Sequence, residues 1–212
     1  PYAQIVRDRM HLSARTAVLE FFHSQALNIP AYRHFLKQQN VNLNEINSFM
    51  DFSRLPLTTK INYMQAYPLQ QRCRSVHYEM WAVSSGSTGK PSLWPRNLLD
   101  EIRISARFEQ VFGNFGAAEH STLAIVCFAL GTWVGGMYTA DCCRLLAQKG
   151  YQISLVTPGN NKSEILRIIA ELGGDYEQIV LLGYPPFIKD VIDSGTNQGT
   201  RWENFTIKLV FA

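Results

Sequence analysis

Apolar side chains near the start of the chain recur at helical rather than alternating spacing. Met10, Ala14, Val18, Phe21 and Phe22 mark one stripe, and Pro30 ends or restarts it, so residues 5–47 read as helical. Thr58 is placed to cap a short helix through Met64, which Pro68 terminates. Trp81-Ala82-Val83 reads as a short strand, with Ser92-Leu93-Trp94 as its hairpin return.

Beyond residue 96 the pattern alternates between helical and extended. Asn97 caps a predicted helix whose Ile104, Phe108, Val111 and Phe115 form one face, with Asp100 at the box position. A strand is predicted over residues 122–129, then a helix through Gln148 that stops at Gly150, then a strand over 152–156. Asn161 caps the clearest helix, with Glu164 completing the box, Ile165, Ile168, Ile169 and Leu172 as its stripe, and Gly173-Gly174 as its end. A strand over 178–182 leads to a helix opened by Pro185 and Pro186, with Phe187, Ile188, Val191 and Ile192 inward. A strand over 207–211 follows. Strands separated by helices predict right-handed crossovers, so the fold class is α/β, a mostly parallel sheet with flanking helices behind a helical N-terminal segment. In such sheets ligands sit beyond the carboxyl ends of the strands. Gly131-Thr132-Trp133 and Gly183-Tyr184 both follow strands directly, so both can face one crevice.

Composition narrows the class. Hydrophobic residues make up 46% and charged residues 17% of 212 residues, enough apolar material for a sizeable core and too little charge for disorder. We place residues 1–50 as a helical segment packed on a main domain spanning 51–212. A net charge of +3 and a pI near 8.7, with scattered lysines and arginines, leave no nucleic-acid footprint. Residues 121–140 carry no charge, but Gly131, Gly135 and Gly136 interrupt them, so a buried strand, turn and helix is expected rather than a membrane span. Cys73, Cys127, Cys142 and Cys143 form no C-x-x-C pair, which predicts buried free thiols in a reducing, cytoplasmic compartment. No signal peptide is visible around Arg7-Asp8-Arg9-Met10. His11, His23, His34, His77 and His120 lack metal-ligand spacing, so no metal site is assigned.

One stretch concentrates chemistry. Ser84-Ser85-Gly86-Ser87-Thr88-Gly89-Lys90-Pro91 packs hydroxyls, two glycines and a lysine together. Successive backbone N–H groups in such a turn cradle anions, and hydroxyls and an ammonium add donors that suit phosphate oxygens. The plain alternative is a polar hairpin turn. A Walker A loop would need glycine at Ser84 and Ser or Thr at Pro91, and the dinucleotide fingerprint G-x-G-x-x-G is absent. G-x-S-x-G is absent too, which removes the hydrolase elbow. Lys90 is the candidate for stabilising polyphosphate charge, with Thr88 and Ser87 donating to phosphate oxygens. Trp133 and Tyr184 either line an acyl or aryl pocket or simply pack.

The string [ST]-S-G-[ST]-T-G-K-P resembles the phosphate-binding loop of the adenylate-forming (AMP-binding) superfamily. Leu55-Pro56-Leu57-Thr58-Thr59-Lys60 and Ala66-Tyr67-Pro68 resemble a segment of its phenylacetate–CoA ligase-like branch. Phe128-Ala129-Leu130-Gly131-Thr132-Trp133 and Gly183-Tyr184-Pro185-Pro186 fall where that branch has its substrate-side strand ends. The resemblance implies part of an adenylate-forming N-terminal domain. It implies ATP with Mg2+, a small-molecule carboxylic acid and a thiol acceptor, either coenzyme A or a carrier protein, with an amine also open. Residues 84–90 would hold the nucleotide, with Lys90 and Thr88 as catalytic candidates and Trp133, Gly183 and Tyr184 at the substrate. The family's later motifs, including its ribose-binding aspartate and late lysine, do not occur, so the chain is expected to be a front part unable to form acyl-adenylate alone. The alternative is a non-catalytic nucleotide- or anion-binding module. A strand at the end of the sequence predicts an open sheet edge and a homo-oligomer.

Overall fold

Apolar runs at 123–126 and 179–183 are too short for helices and too uniformly apolar for a half-exposed strand, and they form most of the two central strands of a parallel sheet. The computed structural model describes residues 13–74, 77–84 and 91–211. Chain contacts divide it into two compact units, Pro1–Met80 and Trp81–Ala212.

In the second unit the main sheet holds β3 (Thr122–Val126), β4 (Ile153–Val156), β5 (Gln178–Gly183) and β6 (Ile207–Phe211), in the order β4-β3-β5-β6. All three pairings are parallel, with Ala124 opposite Leu155 and Val180, and Leu181 opposite Leu209. Side chains alternate between the faces, as strand geometry requires. Ala124, Val126, Val180 and Leu182 face one core, which also holds Phe112 of α4 (Leu98–Asn114) and Cys143 and Leu146 of α5 (Val134–Gln148). Leu123, Ile125, Ile179 and Leu181 face the other, with Ile165 and Ile169 of α6 (Lys162–Leu172) and Ile188 and Val191 of α7 (Pro185–Asn197). Each such Leu or Ile removed from water contributes about 1.5–3 kcal/mol. Burial on both faces explains why these strands carry no polar alternation.

Local rules set the helix ends. The Asn97 side chain accepts from the Asp100 amide at 2.8 Å, and the Asn161 side chain from the Glu164 amide at 3.2 Å. Glu164 does not close the expected box, because its carboxylate pairs with Arg167 at 2.5 Å. Leu172 of the predicted stripe is exposed. The predicted face of α4 is rotated: Glu101, Ser105 and Phe112 are its buried positions, Phe108 and Phe115 are partly buried, and Ile104 and Val111 flank them. The strand expected to reach Ala129 ends at Val126, whose carbonyl accepts from the amide of Gly159 at 3.2 Å. The uncharged stretch therefore splits into β3, a turn and α5, and among the described residues no helix is long and apolar enough to cross a membrane.

A separate two-stranded ribbon, β1 (Met80–Val83) and β2 (Leu93–Arg96), precedes the sheet. Residues 84–92 join its strands, too short a link for a parallel crossover, so the pair is a hairpin.

The first unit is helical, with α1 (Ala14–Asn28) and α2 (Pro30–Gln38) meeting at Pro30 and a single-turn α3 (Leu69–Arg72) further along. Its core holds Phe22, Ala26, Phe35, Leu36 and Ile46, with Phe52, Leu55, Tyr63 and Tyr67 packed on it, which is why this unit continues through Met80. Phe21 and Val18 of the predicted stripe face solvent instead, and Phe22 is the buried member. The cap expected at Thr58 falls one residue later. The Thr59 hydroxyl accepts from the Asn62 amide at 3.1 Å, and Asn62 reaches back to the Thr59 amide at 2.6 Å. The turn it starts, Lys60–Met64, is π-type, with the Gln65 amide bonded to the Lys60 carbonyl at 2.8 Å.

Candidate active site

The sheet reverses its winding around β3. The chain leaves β3 through α5 towards β4 on one side, and leaves β5 through α7 towards β6 on the other. The crevice at such a switch point, outside the carboxyl ends of the strands, is where open α/β sheets bind ligands. Here the Cys127 amide donates to the Leu182 carbonyl at 2.8 Å, so the two strand ends leave the sheet side by side.

Gly183, the last residue of β5, is buried, and a Cβ on it would lie 3.1 Å from the Cβ of Cys127 and 2.7 Å from Cδ1 of Ile188. Its role in the structure is close packing of the strand end. Tyr184 follows as the N-cap of α7 and is 60% exposed; Trp133 is the N-cap of α5 and is 42% exposed. Neither side chain makes a capping hydrogen bond. Both large rings stand in solvent at the carboxyl edge of adjacent strands, so neither is core.

The turn between β3 and α5 is tightly held. Gly131 takes φ +76° and Gly159 φ +67°, left-handed values that favour glycine. Gly136, in the first turn of α5, lies under the Ala129 carbonyl. At the far end of the turn, the Val83 amide donates to the Thr132 carbonyl at 2.7 Å, and Val83 and Trp133 form a parallel bridge. This connection had no sequence signal, since a single isolated bridge leaves no periodicity. It fastens the end of β1 to the turn after β3.

Ser84 therefore stands one residue past that bridge, with its amide donating to the Ser92 carbonyl at 3.0 Å. Ser85, Gly86, Ser87, Thr88, Gly89 and Lys90 lie outside the described residues. Of the residues singled out from sequence, Ser84, Trp133, Gly183 and Tyr184 are described, and all four belong to strand ends or the turns that follow them.

The cysteines are free and buried, as their spacing predicts. Burial pushes the thiols of Cys127, Cys142 and Cys143 up to about 12, which keeps them protonated and removes them as nucleophiles at neutral pH. Among the described residues no group of three His, Cys, Asp or Glu side chains is placed to hold a metal ion. A cleft of about 360 Å³ lies on the first unit, beside Arg33, Lys37 and Asn40, and none of the candidate residues lines it.

A parallel sheet of this order, with paired helices on each face, is an α/β fold that recurs in part of a solved CoA ligase. One protein of similar fold is 2-hydroxyisobutyryl-CoA ligase. In complex with 2-HIB-AMP and CoA in the thioesterification state, that enzyme aligns with a TM-score of 0.73 at 14% identity, covering 92% of this chain and 41% of that one. An open conformation with the same ligands aligns with a TM-score of 0.70 at 13% identity, covering 92% and 45%. The chain thus spans less than half the length of these neighbours, and the likeness is one of fold. No family model and no curated protein matches it.

Proposed function

We propose that this chain contributes the phosphate-binding half of a CoA-ligase-like adenylate-forming enzyme. In the first half-reaction a carboxylate oxygen attacks the α-phosphorus of ATP, the bond to the bridging oxygen breaks, and pyrophosphate leaves. In the second, a thiol such as coenzyme A adds to the acyl carbonyl, loses its proton, and AMP departs.

The observation that supports the reading is the Val83–Thr132 hydrogen bond, which fastens the end of β1, one residue before Ser84, to the turn after β3. In this reading the loop's backbone donors and Lys90 receive charge developing on the leaving pyrophosphate. Trp133 and Tyr184 flank the acid, and Mg2+ enters with the nucleotide's phosphates. The four buried thiols support a reducing, cytoplasmic setting. The likeness to a ligase solved in complex with 2-HIB-AMP and CoA supports the substrate classes.

The test is acid-dependent ATP–pyrophosphate exchange across a panel of carboxylic acids, using the protein in its full natural length. Exchange with one acid class is the expected result. Nucleotide binding without exchange for any acid would favour a non-catalytic nucleotide-binding module instead.

A further inference from the structure

The cleft of about 360 Å³ on the first unit takes its shape from the way α2 ends. Asn40 adopts φ +55°, the left-handed value with which a chain leaves a helix at a sharp angle. The Val41 amide then donates to the Leu36 carbonyl at 3.0 Å, and the Asn40 amide to the Lys37 carbonyl at 3.1 Å. Asn42 starts the next single turn, its side chain accepting from the Asn44 amide at 3.1 Å. Leu36, Val41 and Leu43 supply the apolar lining, and all three also pack in the core of this unit. Core packing and backbone bonds therefore form the cleft in advance. Its volume lies at the small end of the range for small-molecule sites, roughly 300–1,000 Å³.

Two cations stand over that lining. Arg33 and Lys37 are one turn apart on the same face of α2, and both border the cleft. Other basic side chains of this unit are engaged. Arg54 pairs with Asp51 at 2.8 Å, Arg72 donates to the Tyr67 carbonyl at 3.1 Å, Arg74 donates to the Ser24 hydroxyl, and Arg15 lies over the Phe49 ring. Among the described residues, the Arg33 and Lys37 side chains have no hydrogen bond or ion pair. The carboxylate nearest in sequence, Glu45, is committed elsewhere: it accepts from Nδ2 of Asn42 at 2.8 Å and faces Nη1 of Arg54 at 3.8 Å. The helix dipole accounts for a cation in the last turn, as at Lys37, but not for Arg33 one turn earlier.

We propose that this cleft binds a small phosphate monoester with an apolar body, the phosphate between Arg33 and Lys37 and the body on Leu36, Val41 and Leu43. The charges match, because a phosphate monoester carries about −1.5 to −2 at neutral pH and the two side chains are both cationic. An arginine fork beside a lysine point charge suits phosphate oxygens. A carboxylate head would satisfy one cation and leave the other unpaired, and an uncharged ligand would leave both. The assignment does not rest on the ligase reading, since every lining residue belongs to the first unit and none is a candidate of the crevice.

Titration of the whole protein, followed through the backbone amide resonances of residues 33–43, tests this with hexyl phosphate, inorganic phosphate, hexanoate and hexanol. Hexyl phosphate should give saturable shifts at these amides, and each of the other three should bind at least about fivefold more weakly. Arg33→Gln and Lys37→Gln should each weaken hexyl phosphate about fivefold, the upper end for one exposed ion contact. Both side chains are exposed, so neither change should disturb the fold, and Lys189→Gln, at an exposed lysine paired with Asp193, should leave binding unchanged. Hexanol binding as tightly as hexyl phosphate would overturn the role of the two cations. Inorganic phosphate binding as tightly would overturn the role of the apolar lining, and hexanoate doing so would overturn the choice of phosphate. No saturable shift with hexyl phosphate, or wild-type affinity in both cleft variants, would remove the site.

Discussion

A Cβ on Gly136 would lie 2.3 Å from the carbonyl oxygen of Ala129, a separation that no side-chain rotation relieves because the obstructing atom is backbone. The first turn of α5 and the turn after β3 therefore occupy space that only glycine leaves open. Gly136→Ala should force the two apart and destabilise the second unit by about 3 kcal/mol, the upper end of the overpacking range. Gly113→Ala is the control, since nothing lies within 4 Å of a Cβ there. Chemical denaturation of both variants checks this; equal midpoints would show that the turn moves freely.

Much of this architecture was legible in the sequence. The helix caps at Asn97 and Asn161 and the strand at 207–211 fall where residue type and spacing put them, because capping and strand burial are local effects. The face of α4 was misplaced by one position because Glu101 and Ser105, both polar, are its buried residues, and a hydropathy stripe cannot reveal a buried carboxylate. The exposure of Phe21 and Val18 was hidden for the complementary reason, since apolar residues on two faces of α1 give no single stripe. For the candidate site, the aromatic residues after the strands were visible, while residues 85–90 of the phosphate-like string lie outside the described residues. The Val83–Thr132 contact was not visible, because it joins residues distant in sequence through one interaction without a repeating pattern.

The opposite edge of the sheet is stapled by charge. The carboxylate of Glu177 accepts from the Ser121 amide at 2.7 Å and meets Nδ1 of His120 at 3.1 Å, while the Glu177 amide donates to the Ser121 hydroxyl at 3.0 Å. The Ser121 backbone bond, then the His120 contact, lower the pKa of Glu177 below the ordinary glutamate value. A depressed pKa contributes stability that is fully present above the unfolded-state value, roughly 4.3, and is lost as pH falls through the folded-state value. Glu177→Gln should therefore lower the melting temperature at pH 7 and make little difference at pH 2–3. A gap between variant and wild type that persists undiminished in acid would mean the carboxylate charge is not what matters.

Tyr184 offers a clean probe of the crevice. Its ring is 60% exposed and makes no capping bond, so Tyr184→Ala should leave stability within about 0.5 kcal/mol. In acid-dependent pyrophosphate exchange, the activity proposed above, the same change should raise KM for the acid more than KM for ATP. A larger effect on ATP would put Tyr184 beside the nucleotide and reverse the assignment of the two ends of the crevice.

The loop itself should act on the transition state more than on ground-state affinity. Charge grows on the β- and γ-phosphates as pyrophosphate departs, and donors preorganised around that charge gain most at that moment. Removing the Lys90 ammonium should therefore change KM for ATP modestly and lower kcat for adenylation by roughly ten- to a thousand-fold, the scale of one lost electrostatic donor. Gly89→Val should be worse, because a β-branched residue resists positive φ and blocks close approach of backbone to phosphate. Pyrophosphate exchange on full-length Lys90→Ala and Gly89→Val proteins, with circular dichroism confirming that both are folded, measures this. Exchange at the wild-type rate in both would reduce residues 84–90 to an ordinary hairpin turn.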